Sequence, residues 1–255
     1  MPHTAQSEPA TREATMLRAM YERLMAGYGP QHWWPGETPL EITVGAYLTQ
    51  NTSWRAVERS LENLRQRGLI GDASEHEVLG NASEHGVLDA AALLAMPEEE
   101  LRVLLRPSGY MVRKTAAIRA FLGFLFAEAG GSFERLASMR TEVLRPKLLA
   151  LPGVGPETAD AILLYALGHE AMVVDEYLRR VTVRHGLTPE RSSYEVIQRL
   201  AWSAFAGERG KQRVRHANEF HALIVMVGKE HCGPKPRCAG CPLACFPALV
   251  PERCR

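Results

Sequence analysis

Leu151-Pro152-Gly153-Val154-Gly155-Pro156 is the stretch that most narrows what this chain can fold into. Two glycines bracket one apolar residue, and the proline opens a new helical pattern at Ala159, Ile162, Leu163, Ala166 and Leu167. The spacing predicts a helix over 141–149, a tight hairpin, and a second helix over 156–167. Gly153 and Gly155 can take backbone angles that other residues avoid, and without side chains they let a ligand approach the main chain. Pro156 suits a first helical turn, where its missing N–H costs nothing. The bare N–H groups of Gly153, Val154 and Gly155 would form an anion site, and a nucleic-acid backbone is the long anion that fits it.

Composition sets the frame. The chain has 255 residues, 46% of them apolar, enough for one large core or two smaller ones. Thirty basic residues against 29 acidic ones leave a net charge of +1, so any nucleic-acid surface must be local. No apolar run reaches membrane-spanning length and no basic start leads into an apolar segment, so the chain is expected to be soluble, cytoplasmic and nucleoid-associated.

The first dozen residues are polar and patternless, and a disordered tail over 1–12 is expected. Thereafter the pattern is helical throughout. Met16, Leu17, Met20, Leu24 and Met25 mark one helix, Ile42 to Leu48 a buried second, and Val57, Leu61 and Leu64 a third. Further helices are expected at 98–105, 112–127, 141–149, 156–167, 175–185, 194–205 and 213–227. Period-two strand runs are absent, which makes the fold class all-α. Between Gly71 and Ala92 a short echo, Ala73-Ser-Glu-His-Glu-Val-Leu79 and Ala82-Ser-Glu-His-Gly-Val-Leu88, reads as an inserted, partly exposed connection. Residues 37–187 are expected to form one helical domain carrying the hairpin. Residues 13–36 and 188–255 would form a second, with a groove between the two.

All five cysteines lie from Cys232 onward. A disulfide scaffold spreads its cysteines along the chain, whereas this clustering points to a metal site in a reducing compartment. Cys232, Cys238, Cys241 and Cys245 follow C-x5-C-x2-C-x3-C, with Cys254 beyond. A zinc ribbon pairs two C-x2-C knuckles and this loop has one, so a 4Fe–4S cluster fits better than zinc. Lys235 and Arg237 leave the same loop, either as solvated charges or as a basic finger for phosphates.

Together these residues resemble the helix-hairpin-helix DNA glycosylases of the endonuclease III superfamily, over about residues 30–245. The resemblance implies two all-α domains flanking a DNA-binding cleft, hairpin amides on a backbone phosphate, a flipped damaged nucleotide in double-stranded DNA, and an aspartate at Asp175 acting in glycosidic cleavage. The bifunctional members carry a lysine two residues after the second hairpin glycine, where this chain has Glu157. A carboxylate cannot form an imine, so lysine-dependent lyase chemistry is not expected. The cysteine spacing is also shorter than the family's usual one. That favours Cys245 as fourth ligand, with Cys254 as a substitute.

Several phrases are most similar to the monofunctional 3-methyladenine glycosylases of this type. They are Trp33-Trp34-Pro35, Leu48-Thr49-Gln50-Asn51-Thr52, Arg106-Pro107-Ser108-Gly109-Tyr110, Glu157 to Leu163, and Met172-Val173-Val174-Asp175. The best-known type of that subfamily lacks the iron–sulfur loop, so the chain mixes two patterns. The resemblance implies that Trp34 and Trp54, beside Pro35, sandwich the extruded base, and that Gln50 with Asn51 fills the hole left behind. A cationic N-alkylpurine would be drawn to an indole face. Asp175 reads either as a helix N-cap or as the carboxylate that stabilises an oxocarbenium-like sugar and activates water. Lys114 and Lys147 are assigned at most to phosphate contacts. The expectation is a monomeric, monofunctional alkylbase glycosylase. An endonuclease III-like enzyme for oxidised pyrimidines and a non-catalytic damage binder are the alternatives.

Overall fold

The computed structural model describes residues 11–33, 36–71 and 82–247, and every regular element among them is helical. The chain divides into two compact units, one running from Trp34 to Ala171 and the other joining the residues up to Trp33 with those from Met172 onward. The return therefore falls before Asp175 rather than near 187, because the helix that Asp175 opens packs on the last long helix of the second unit. Among the described residues, no helix is long and apolar enough to cross a membrane.

In the Trp34–Ala171 unit, α1 of the chain (Arg12–Tyr28) has no part; α2 (Pro39–Leu48) and α3 (Trp54–Gln66) come first. They are followed by α4 (Ala82–Ala95), α5 (Glu98–Leu105) with a tight 3-10 turn at Arg106–Ser108, α6 (Met111–Ala129), α7 (Phe133–Ala137), α8 (Thr141–Leu149) and α9 (Pro156–Ala161). Helix α2 starts at Pro39 behind an N-cap Thr38 whose side chain accepts from the Glu41 N–H. It is buried on nearly all sides, as its mostly apolar sequence dictates, and its Glu41 carboxylate is held by Arg65 and the Glu37 N–H. The expected helix over 156–167 instead winds wider after Ala161, into a π-turn at Ile162–Ala166 that packs on α2. The segment read as an exposed connection is corrected in part. Its second echo lies in α4, which packs on α6 and α7 and buries Ala90 and Leu93 fully, while the first echo lies outside the described residues.

The second unit holds α1, α10 (Glu176–Arg184), α11 (Tyr194–Ser203) and α12 (Gly210–Glu230). Leu17, Met20, Tyr21 and Leu24 of α1 form the stripe that a 3.6-residue period places on one side, and Tyr21 meets Phe205 and Phe220 edge-on. Helices α10 and α12 approach closely at Gly228, where a Cβ would overlap the ring of Tyr177.

The two hairpin helices are joined by a fork. Arg145 on α8 donates through Nε and Nη2 to the two carboxylate oxygens of Asp160 on α9, at 2.7 and 2.9 Å, with Asp160 only 1% exposed. Removing the arginine takes the charged fork away from a buried carboxylate, so Arg145→Met is expected to cost about 3 kcal/mol of stability. Urea unfolding checks this, and a loss below about 1 kcal/mol would mean that the pair behaves like a solvated surface pair.

Candidate functional site

Gly153 turns the hairpin with φ +77°, and a Cβ there would lie 3.1 Å from that of Ala117, so both angle and space call for glycine. Gly155 is used differently. It is extended, at φ −95° and ψ 176°, as the N-cap of α9, with open space around it. Its contribution is a bare main chain rather than an unusual angle. Pro156 takes the first turn as expected, and Val154 N–H donates back to Leu151 O at 3.2 Å. The N–H groups of Gly153 and Gly155 make no hydrogen bond among the described residues, and both residues are exposed. The turn thus offers main-chain donors outward, beside the positive end of a helix. Glu157 is exposed in the first turn of α9, where a carboxylate complements the helix dipole.

Gln50 is tied to this hairpin. Its Nε2 donates to Gly153 O and to Thr158 Oγ1, both at 2.9 Å, so its head group bridges the turn and the second helix. Asn51 lies beyond the end of α2, exposed and at φ +51°, an angle asparagine tolerates better than most residues. Trp54 opens α3 and its indole Nε1 donates to Glu58 at 2.7 Å, which lays the ring along the helix in an open charged groove with Arg55, Arg59 and Arg65. Trp34 and Pro35 lie outside the described residues.

The two lysines read as phosphate contacts are placed differently. Lys147 pairs with Glu128 at 2.5 Å. Lys114 is 4% exposed and faces inward, donating to Leu48 O (2.8 Å), Thr52 Oγ1 (2.7 Å) and Ser108 O (2.8 Å). No hydrogen of its ammonium is left for a phosphate.

In the second unit, Asp175 is the N-cap of α10. Its Oδ1 accepts from Leu178 N–H at 2.8 Å, while Oδ2 faces His221 Nε2 at 3.6 Å, and the residue is buried. The cap bond and the approach of His221 therefore fall to separate oxygens of one carboxylate. His221, which the sequence reading missed, is buried and lies against Trp33, with ring centroids 5.8 Å apart and planes at 31°. Two residues earlier on α12, buried Glu219 accepts from the N–H groups of Gln31 (2.6 Å) and His32 (2.8 Å), fixing a loop in which His32 takes φ +48°. The signal for both was available: Glu219 and His221 are polar residues within the apolar run Ala217–Val225, where a buried polar group asks for a partner.

The cysteine loop follows α12. Arg184 donates to Cys232 Sγ at 3.0 Å and to Pro234 O at 3.0 Å, and tight turns link Cys238 to Cys241 and Cys241 to Ala244. Burial, and then the neighbouring Cys232 and Cys245, push the Cys241 thiol above its usual range. Four thiols in one loop, with an arginine on one sulfur, suit a soft metal in kind. Among the described residues, however, no three His, Cys, Asp or Glu side chains are drawn together as a coordination set. Cys254 lies outside the described residues. Arg237 does not project as a finger: its guanidinium turns back onto Glu230 O (2.6 Å) and Lys229 O (3.4 Å) and caps the end of α12. Lys235 is exposed.

Comparison with known proteins matches residues 44–206 to the HhH-GPD superfamily of base excision DNA repair proteins. A candidate DNA repair glycosylase of Methanocaldococcus jannaschii is 36% identical over 91% of this chain and 95% of its own. Among solved structures, the chain is similar to the H. pylori 3-methyladenine DNA glycosylase MagIII bound to 1,N6-ethenoadenine, with a TM-score of 0.69, 28% identity, and coverage of 86% of this chain and 98% of that one. A non-covalent endonuclease III–DNA complex shares the fold at a TM-score of 0.67 and 20% identity, over 91% of this chain and 94% of that one.

The contrast between the two glycines gives a test. Gly153→Ala forces an alanine into a left-handed angle against Ala117 and is expected to cost about 1–2 kcal/mol. Gly155→Ala is expected to leave thermal stability nearly unchanged, since that backbone is extended and open. Equal losses at the two positions in a thermal melt would contradict this account of the turn.

Proposed function

The chain belongs to the HhH-GPD superfamily of base excision DNA repair proteins, and from that premise we propose that it is a monofunctional DNA N-glycosylase that removes alkylated bases, 3-methyladenine first, and leaves an abasic site. The observation that carries the reading is the absence of a usable lysine at the hairpin: position 157 is an exposed glutamate, and buried Lys114 has its ammonium fully engaged. Likeness to a 3-methyladenine glycosylase over most of its length supports alkylated purines as the substrate class.

The chemistry asks little of such an enzyme. An N-alkylated purine is cationic and leaves readily, so neither an acid catalyst nor a covalent nucleophile is needed. Asp175 supplies a fixed negative charge for the oxocarbenium-like sugar and a base for the attacking water. Its Oδ1 bond to Leu178 N–H holds the carboxylate still, leaving Oδ2 for the reaction. The amides of Gly153 and Gly155 hold a DNA phosphate, and Gln50 fills the space left by the extruded nucleotide. Trp34, Trp54 and Pro35 are the proposed base pocket, and the protein acts as a monomer.

Cys232, Cys238, Cys241 and Cys245 are the proposed ligands of a 4Fe–4S cluster, with zinc as the alternative and Cys254 as substitute ligand. Such a group would stiffen the loop that carries Lys235. The cysteine loop is also the feature that favours an endonuclease III-like enzyme for oxidised pyrimidines, so the test separates the two.

Incubation with methylated DNA is expected to release free 3-methyladenine, with strand breaks appearing only after alkali. Borohydride should trap no protein–DNA adduct, and trapping would overturn the monofunctional reading. Asp175→Asn should lower turnover by about a hundredfold or more while retaining binding to lesion DNA. Unchanged turnover in that variant would remove Asp175 from the mechanism. Anaerobically purified protein should be brown, with broad absorbance near roughly 400 nm. A colourless protein with one zinc per chain would replace the cluster by zinc.

A further inference from the structure

Among the buried titratable groups to which the mechanism gives no role, Lys114 is the one that joins two loops. Lys114 sits on α6, 4% exposed, and its three partners at 2.7–2.8 Å are all neutral oxygens. Leu48 O belongs to the last residue of α2, and Ser108 O to the last residue of the Arg106–Ser108 turn. Both are helix-end carbonyls, where the dipole favours a cation. The third partner, Thr52 Oγ1, lies 2.7 Å from Ser108 O and can donate to it, so ammonium, hydroxyl and carbonyl close a small ring.

Each loop clamped in this way carries a residue in the left-handed region. After Leu48 come Gln50, anchored on the hairpin, and Asn51 at φ +51°. After Ser108 come Gly109 at φ +67° and Tyr110 at φ +48°, whose side chain is 63% exposed. Backbone angles of this kind cost free energy and persist only where the surroundings over-determine them. A buried ammonium also carries a desolvation cost that an apolar side chain of similar length would avoid. What the charge adds is direction: donors at fixed angles to three oxygens set the spacing of two loops that have no regular secondary structure of their own.

We propose that Lys114 is a positioning residue for duplex opening, pinning the Gln50–Asn51 loop to the Ser108–Tyr110 loop so that both meet DNA in one fixed arrangement. The proposal rests on the reading of Gln50 as the wedge. Preorganisation of this sort matters most where the protein must displace a paired, stacked base, and least where the base is already free. A rival role exists for such a group. Burial lowers the Lys114 ammonium to about 8, and a lysine with a depressed pKa suits imine formation.

The test uses the full chain, with methylated DNA as a duplex or as separated single strands, and a duplex carrying 2-aminopurine beside a tetrahydrofuran abasic analogue. Lys114→Met is expected to lower base release from the duplex by about tenfold, while release from single strands stays within about twofold. It should bind the 2-aminopurine duplex but give little of the fluorescence rise that reports unstacking. Equal losses on both substrates, or an unchanged ratio with full fluorescence, would overturn the pin. A borohydride-trapped adduct mapped to Lys114 would overturn it in favour of the nucleophile role. Gln50→Ala separates the proposal from its premise. If the fluorescence rise survives that change, the wedge reading falls and the pin with it; if only Lys114→Met leaves the rise intact, the pin alone falls. Should the wild type release no base from either form of methylated DNA, the lesion assignment fails, and the fluorescence arm still decides the pin. If Lys114→Met does not fold, Thr52→Val takes its place: it should lower the fluorescence rise, with recovery in Thr52→Ser, which keeps the hydroxyl.

Discussion

The fork between Arg145 and Asp160 is the constraint on which the rest of the hairpin depends. Two helices joined by a turn as short as this one have little freedom in their crossing angle, and a bidentate pair on a buried carboxylate removes what remains. With α8 and α9 locked, Gly153 must turn the chain within the space that Ala117 leaves, and Gly155 starts α9 from an extended backbone. The bare N–H groups then point outward because the turn has no inward use for them. Gln50 completes the arrangement by accepting this geometry as its own anchor: a rotated α9 would carry Thr158 away from its amide.

The second unit has a different organising element. Helix α12 is buried mainly between Ala217 and Gly228, and it fixes three features from that stretch. Glu219 sets the path of the Gln31–His32 loop, His221 lies opposite Asp175 and against Trp33, and Gly228 admits Tyr177 of α10. The position of Asp175 is therefore determined twice, through its own cap bond on α10 and through the close seat of α10 on α12. A carboxylate held in this way keeps one orientation and has little side-chain freedom left to lose.

The fold class was legible because it rests on local signals. Apolar residues at helical spacing and Pro156 in a first turn each act within one helical turn of themselves; the structure adds Thr11, Thr38, Ser132 and Ser193 as side-chain caps, which are equally local. What escaped the reading depends on partners far along the chain. Whether Lys114 faces solvent or the carbonyl of Leu48 is decided by packing across 66 positions, and no local pattern carries that. Arg237 misled for a related reason: a basic residue beside cysteines suggests a phosphate contact, yet the nearest unsatisfied acceptors were the end carbonyls of α12. Gly155 shows the limit of composition. Glycine permits a left-handed angle, but here the absence of a side chain, rather than the angle, is what the turn uses.

The same economy appears in the polar groups of both units. Asp175 serves as a cap through one oxygen and presents the other to His221, and Gln50 anchors through its amide nitrogen while its carbonyl oxygen makes neither of those bonds. In each case one atom of the side chain fixes the other in place. This has a consequence for how substitutions read out. Changing Asp175 to asparagine or Gln50 to glutamate disturbs both polar atoms of the side chain together, and loss of function alone does not say which mattered. The Gln50 anchor can be probed from the opposite end, at Thr158 or at the loop that Lys114 holds, with the glutamine itself left intact.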